Sequence, residues 1–295
     1  MHRLLVFALA GLVAQLVDGA LGMAYGVMSS SLLLVYGLSP AAASASVHLA
    51  EVITTATSGI SHWRLGNVDR VTVRGLVVPG AIGAFSGAVL LSSLPGDLIR
   101  PYVAGFLLLL GAYIILRFSL GAVPITYRAP RARRRFLAPL GLIAGLLDAT
   151  GGGGWGPIAT PALMVRGHLP PHKVIGSVSV SEFVVALSAT MGFAVSLGWN
   201  PVDWLQVGAL VAGGTVAAPL GAWLARRLPP PVLGVMVGTA VLLVNLRTLC
   251  SAADITGAGR TATYAVTVAA CLTFLVHAIR KSRRAATGRE EALQT

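Results

Sequence analysis

Only ten acidic residues occur in this chain, and four of them lie inside long apolar runs: Asp18, Glu51, Asp148 and Glu182. On insertion scales an aspartate at the bilayer centre costs roughly 2.5–3.5 kcal/mol. Carboxylates kept there accept protons, bind cations, act as gates or meet a specific structural need. For the aspartates that need is visible, because each precedes a glycine-containing break and aspartate caps a first helical turn well. Both readings stand for Asp18 and Asp148. Glu51 and Glu182 fall within uninterrupted helical runs, where capping is not on offer, and coupling or gating suits them better.

The break after Asp148 reads DATGGGGWGP. Gly151, Gly152, Gly153 and Gly154 let the backbone bare its N–H groups, and Pro157 suits the first turn of the next helix. A helix N-terminus in low dielectric carries free donors and about half a positive charge, which suits an anion. Small-residue packing between helices is the competing explanation, but four glycines in succession exceed what it requires. No lysine follows, as a P-loop demands, and no strand precedes, as a dinucleotide fingerprint demands. The anion-binding candidates are these glycines with Trp155, and Gly22 and Tyr25 at the first break. The hydroxyls Ser29, Ser30, Ser31, Ser46, Ser177, Ser179 and Ser181 could coordinate oxyanion oxygens, though each alone reads first as an ordinary helix–helix bond; Ser46 and Ser177 are the two counted with the site. His48, one turn before Glu51, could pair with it, but reads first as structural, the commoner fate of a lone histidine on an apolar face. Trp63 and Trp199 line the path or sit at interfaces.

The elements that must hold these residues are transmembrane. Of 295 residues 55% are hydrophobic and 11% charged, and the mean hydropathy is +0.80. A soluble domain carries about a quarter of its residues as charges, so most of this surface must face lipid. The net charge of +12 raises a nucleic-acid partner, but the basic residues fall in short gaps between apolar runs, where topology puts them. Cys250 and Cys271 have no redox or metal spacing. No cofactor, metal or catalytic residue is expected. Runs at 41–62, 71–93, 100–119, 173–197, 204–225, 232–250 and 262–280 are each near the ~20 residues needed to span a bilayer. Stretches 4–36 and 136–165 are too long for one plain span and are broken near the middle. Such breaks survive at membrane depth only where protein or a cavity covers them. A cleaved signal peptide at the N-terminus is the lesser reading, since 4–36 has a partner in mid-chain.

That partner reveals a repeat. GLVAQLVDGALGMAYG (11–26) aligns without a gap on GLIAGLLDATGGGGWG (141–156), pairing Gly11 with Gly141, Asp18 with Asp148, Gly22 with Gly152, Tyr25 with Trp155 and Gly26 with Gly156. Farther on, Ser46 pairs with Ser177, Glu51 with Glu182, Val68-Asp69 with Val202-Asp203 and Leu94-Pro95 with Leu228-Pro229. Seven crossings with both broken segments re-entrant put 18 of the 22 basic residues inside, leaving Arg3, Arg100, Arg247 and Arg260 outside, as the positive-inside rule favours. Three crossings separate the broken segments, which inverts the second repeat. The competing parse makes 4–36 one tilted span with Met1 inside.

The expected fold is therefore an all-α integral membrane protein of two inverted repeats, with about seven full spans and two broken or re-entrant segments. Residues 1–125 form the first repeat and 126–135 an arginine-rich cytoplasmic linker, which anchors topology and touches anionic lipid. The second repeat, with one extra helix, covers 136–280, and 281–295 form a cytoplasmic tail. The N-terminus is outside and the C-terminus cytoplasmic, in a plasma (inner) membrane.

Through GLIAGLLDATGGGGWGPIATPALMVRG, VIGSVSVSEFVVALSA and GLVAQLVDGALG, residues 4–280 resemble the sulfite exporter TauE/SafE family. The resemblance implies a duplicated bundle that moves sulfite, sulfoacetate or a related small organic or sulfur-containing anion. The first half departs from the pattern: ALGMAYG replaces the glycine cluster, and Ser31 stands where the second half has Pro161. The expected partners are a small anion, membrane lipid and a coupled proton or cation, with self-association left open. The alternative is an intramembrane enzyme acting on a lipid-phosphate or peptide substrate. A lipid-phosphate enzyme lacks an arginine within the breaks, and an aspartyl protease lacks its GxGD order. A channel is the third rival, and the buried acids favour a coupled carrier over it.

Overall fold

The computed structural model describes residues 2–120, 134–166, 168–200, 202–224 and 230–294, and in that range every regular element is a helix. In chain order these are α1 (His2–Leu21), α2 (Tyr25–Val35), α3 (Pro40–Arg64), α4 (Arg70–Ser92), α5 (Gly96–Leu120), α6 (Arg134–Gly151), α7 (Trp155–Arg166), α8 (Pro171–Leu197), α9 (Trp204–Leu224), α10 (Pro230–Ala252) and α11 (Gly257–Gln294). Most of the arginine linker (126–133), Arg226, Arg227 and the Leu228-Pro229 pair fall outside the described residues.

Five described helices are long and apolar enough to cross a membrane: Arg70–Ser92, Gly96–Leu120, His172–Leu197, Gly234–Ala252 and Gly257–Ser282. The protein is a multi-pass helical membrane protein on that count and on its composition. At 25 residues, α3 has the length of a span but not the apolarity, because it carries His48, Glu51 and a series of serines and threonines. The backbone of α11 stays helical to Gln294, so the tail begins as a continuation of the last helix.

Both long apolar stretches are pairs of helices around a short non-helical break, at 22–24 and at 152–154. Gly22 and Gly152 stand at φ +68° and +69°, the left-handed region that glycine enters without steric cost. Neither α2, with 11 residues, nor α7, with 12, reaches across ~30 Å of hydrocarbon at 1.5 Å per residue.

Several contacts occur twice, at positions that the internal alignment pairs. A Cβ added to Gly11 would meet the Leu210 carbonyl, and one added to Gly141 would meet that of Leu76. Gly80 lies under the Trp155 ring, and Gly214 lies against Tyr25. Asp69 accepts from Thr72 N at 2.8 Å to cap α4, and Asp203 accepts from Gln206 N at 3.2 Å at the start of α9. The largest contacts pair α4 with α6 and α1 with α9, with α3 on α8 and α5 on α10, whereas α11 packs mainly on α10 and α5.

Candidate functional site

The two breaks meet. A Cβ on Gly26 would stand 2.8 Å from Gly153 Cα, and one on Gly156 would stand 2.7 Å from Met23 Cα. Only residues without a side chain allow backbones this close. Each break is spanned by its own aspartate. Asp18 Oδ1 accepts from Ala24 N at 2.9 Å. Asp148 Oδ1 accepts from Gly154 N at 2.6 Å and Trp155 N at 2.9 Å. The carboxylates reach forward over the break to the first turn of α2 and of α7, where free N–H groups and the helix dipole favour negative charge. Donors that the sequence offers to an anion are thus engaged by the protein's own acids.

Between the breaks lies a cavity of about 10 Å³, room for one water molecule. Its lining includes Asp18, Tyr25, Glu51, Asp148, Gly153, Gly154 and Glu182, so all four intramembrane acids converge on one point. Glu51 and Glu182 are 2% and 8% exposed, and no described residue donates a hydrogen bond to either carboxylate.

His48 faces this acid cluster through a contact that local spacing does not reveal. Fully buried on α3, its Nε2 lies 3.2 Å from Asp148 Oδ2 and 4.0 Å from Glu51 Oε2. Nδ1 lies 2.8 Å from Ser44 O, a fit for an N–H donor there. The histidine thus links the first half of the chain to the break in the second. Ser44 Oγ also donates to Ala149 O at 2.7 Å, and Ser30 Oγ donates to Gly152 O. His48, Glu51 and Asp148 stand close enough together to hold one cation.

Other predicted residues sit elsewhere. Ser46 Oγ donates to Ala42 O, one turn back on its own helix, and Ser177 Oγ accepts from Asp69 N at 2.8 Å; neither lines the cavity. Trp155 is buried with Nε1 on Val178 O and serves as packing under Gly80. Gly151 backs onto the Phe106 ring and Gly22 onto Ile175. Tyr25 reaches the cavity while its hydroxyl donates to Leu210 O at 3.3 Å.

A family model described as Sulfite exporter TauE/SafE matches residues 7–248. The probable membrane transporter protein YtnM of Bacillus subtilis (strain 168) is 57% identical over 251 residues, 84% of this chain and 83% of that protein. The probable membrane transporter protein YdhB of the same organism is 30% identical, covering 63% of this chain and 75% of its own length. No solved structure matches.

Proposed function

Since this chain belongs to the sulfite exporter TauE/SafE family, a family of membrane transporters, we propose that it is a secondary transporter of a small anion. The substrate class is sulfite, sulfoacetate or a related small organic or sulfur-containing anion, carried across a plasma membrane. The observation that carries this reading is the convergence of both broken helices and all four intramembrane acids on a single buried cavity. Discontinuous helices meeting near mid-membrane are the common build of secondary transporters.

Two inverted repeats, at 1–125 and 136–280, are the architecture we attach to it. In support, contacts are duplicated at aligned positions, and each break lies against the other through Gly26 and Gly156. The inverted arrangement draws further support from the ends of the helices. Arg100 at the start of α5 bonds the carbonyl end of α2, and Arg117 near the end of α5 reaches Met164 on α7. The ends of α2 and α7 thus neighbour opposite ends of one span.

The acids set the terms of transport. Carboxylates gathered this closely repel an entering anion whenever they are ionised, so on this reading the anion arrives with protons or a cation that these groups take up. Asp18 and Asp148 are held by backbone donors and serve as gates that tie each break to the following half-helix. Glu51 and Glu182, without such donors, are the coupling pair. An exported anion gains roughly 2.3 kcal/mol per charge per 100 mV of inside-negative potential, whereas import runs against it and needs a co-transported cation. Flux of a panel of small anions into proteoliposomes, with and without a pH gradient, tests the proposal; absence of flux for every anion under both conditions overturns it.

A further inference from the structure

The arginines left on the outer face by the charge split are not scattered. Arg100 and Arg247 line one cavity of about 700 Å³ at the carbonyl end of α2, with Thr248 and Ser251 beside them. Arg260 reaches the same rim, donating from Nη2 to Ser251 Oγ at 3.1 Å. Insertion disfavours arginine on that side of the membrane, so three of the four gathered at one opening answer another need. Asp97 is the acid in this lining, which leaves a surplus of positive charge.

The two lining arginines are held differently. Arg100 Nη2 donates to Leu34 O at 3.1 Å and Leu38 O at 3.0 Å, which anchors the end of α2. Its Nε is buried without a partner. Arg247 is exposed, and no described residue pairs with its guanidinium. A planar guanidinium with hydroxyls beside it offers the forked donors that fit an oxyanion.

We infer that this cavity is a vestibule in which Arg247, assisted by Arg100, Thr248 and Ser251, captures a small oxyanion from solution before it moves toward the centre. The vestibule is at one end of α2 and the central cavity at the other, roughly 16 Å apart for 11 residues at 1.5 Å each. A mouth with a surplus of one sign of charge concentrates the opposite ion and speeds its arrival, an effect that salt weakens. The inference rests on the anion-transport reading. The difference in volume separates the two sites: a bulky aromatic disulfonate fits the vestibule and is too large for the central cavity.

The test titrates the full-length protein, in nanodiscs of neutral lipid, with an aromatic disulfonate. The same compound is then tried as an inhibitor of anion flux in proteoliposomes. Arg247→Gln is expected to weaken disulfonate binding about tenfold at low salt and Arg247→Lys to restore most of it. In flux, Arg247→Gln should raise the half-saturating anion concentration about tenfold while lowering the maximal rate less than about twofold. Binding unaffected by Arg247→Gln overturns the vestibule. So does displacement of the disulfonate by phosphatidylglycerol in the nanodisc, which assigns the site to a lipid headgroup. Arg247-dependent binding in a protein that moves no anion overturns the transport reading and leaves the binding site standing.

Discussion

His48 Nε2 lies 3.2 Å from Asp148 Oδ2, with both side chains buried, and this contact ties the third helix to a break a hundred residues later. Removing one member of a buried hydrogen-bonded pair leaves the other unsatisfied, at a cost of about 1–3 kcal/mol. His48→Ala should therefore destabilise the detergent-solubilised protein by about 2 kcal/mol. The double variant His48→Ala/Asp148→Asn should recover part of that loss. Thermal unfolding of the single and double variants checks the coupling, and strictly additive losses would show that the pair does not interact.

The Gly26 contact predicts a sharp size limit. A methyl group there would stand 2.8 Å from Gly153 Cα and 2.9 Å from Glu51 Oε1, pressing the two breaks apart. Gly26→Ala should cut anion flux at least tenfold, on the order of 1.4 kcal/mol in the transport barrier, with normal membrane insertion. Gly105→Ala, where a Cβ meets nothing within 4 Å, should transport normally. Equal flux in the two variants would remove the breaks from the transport path.

Valine at Gly152 or Gly153 should abolish transport while the protein still reaches the membrane. Gly152 holds φ +69°, which a β-branched residue rarely adopts, and a Cβ on Gly153 would run into the backbone at Val27. Comparing flux with the amount of protein in the membrane fraction separates lost activity from lost insertion.

If Glu182 takes up the coupled proton, Glu182→Gln holds the neutral form permanently. Anion binding should survive, flux should lose its response to a pH gradient, and Glu182→Ala should lose both. Proton-coupled import falls as pH rises through the range in which the carboxyl releases its proton, and the Gln variant should show a flat profile. Glu51→Gln is the parallel test, and unaltered pH profiles in both variants would return these carboxylates to a structural role.

Cysteine labelling from either side of the membrane should find the N-terminus outside and the C-terminus inside. An N-terminus labelled from the inside would make α1 and α2 one crossing and end the re-entrant reading.

Much of the centre is legible along the chain, because its signals are local. A glycine run after an aspartate marks a break, and the helices stop and restart at Gly151 and Trp155. The azimuth of a side chain is less legible. α3 carries serines and threonines on several faces, so spacing alone does not show that Ser44 turns to Ala149 O while Ser46 bonds back to Ala42 O. For His48 the chain offers Glu51 one turn on as a local partner, whereas Asp148, which it bonds, is brought in by tertiary packing. The forward reach of Asp18 and Asp148 is the capping that their place before each break suggests, and the structure carries it six and seven residues ahead, across the break.

On the transport reading proposed above, the twin contacts of Gly26 on Gly153 and of Gly156 on Met23 would make the crossing of the breaks a fulcrum of nearly equal arms. If one half rocks against the other about that point, tilting either way would break and make similar interactions, and the two end states would lie close in energy. Little of the direction of net flow would then be written into the protein, and the gradients across the membrane would decide it. His48 is the exception, because the aligned position holds Ser179. Among the described residues His48 is the one imidazole at this crossing, so taking up or releasing its proton would weight one arm and not the other.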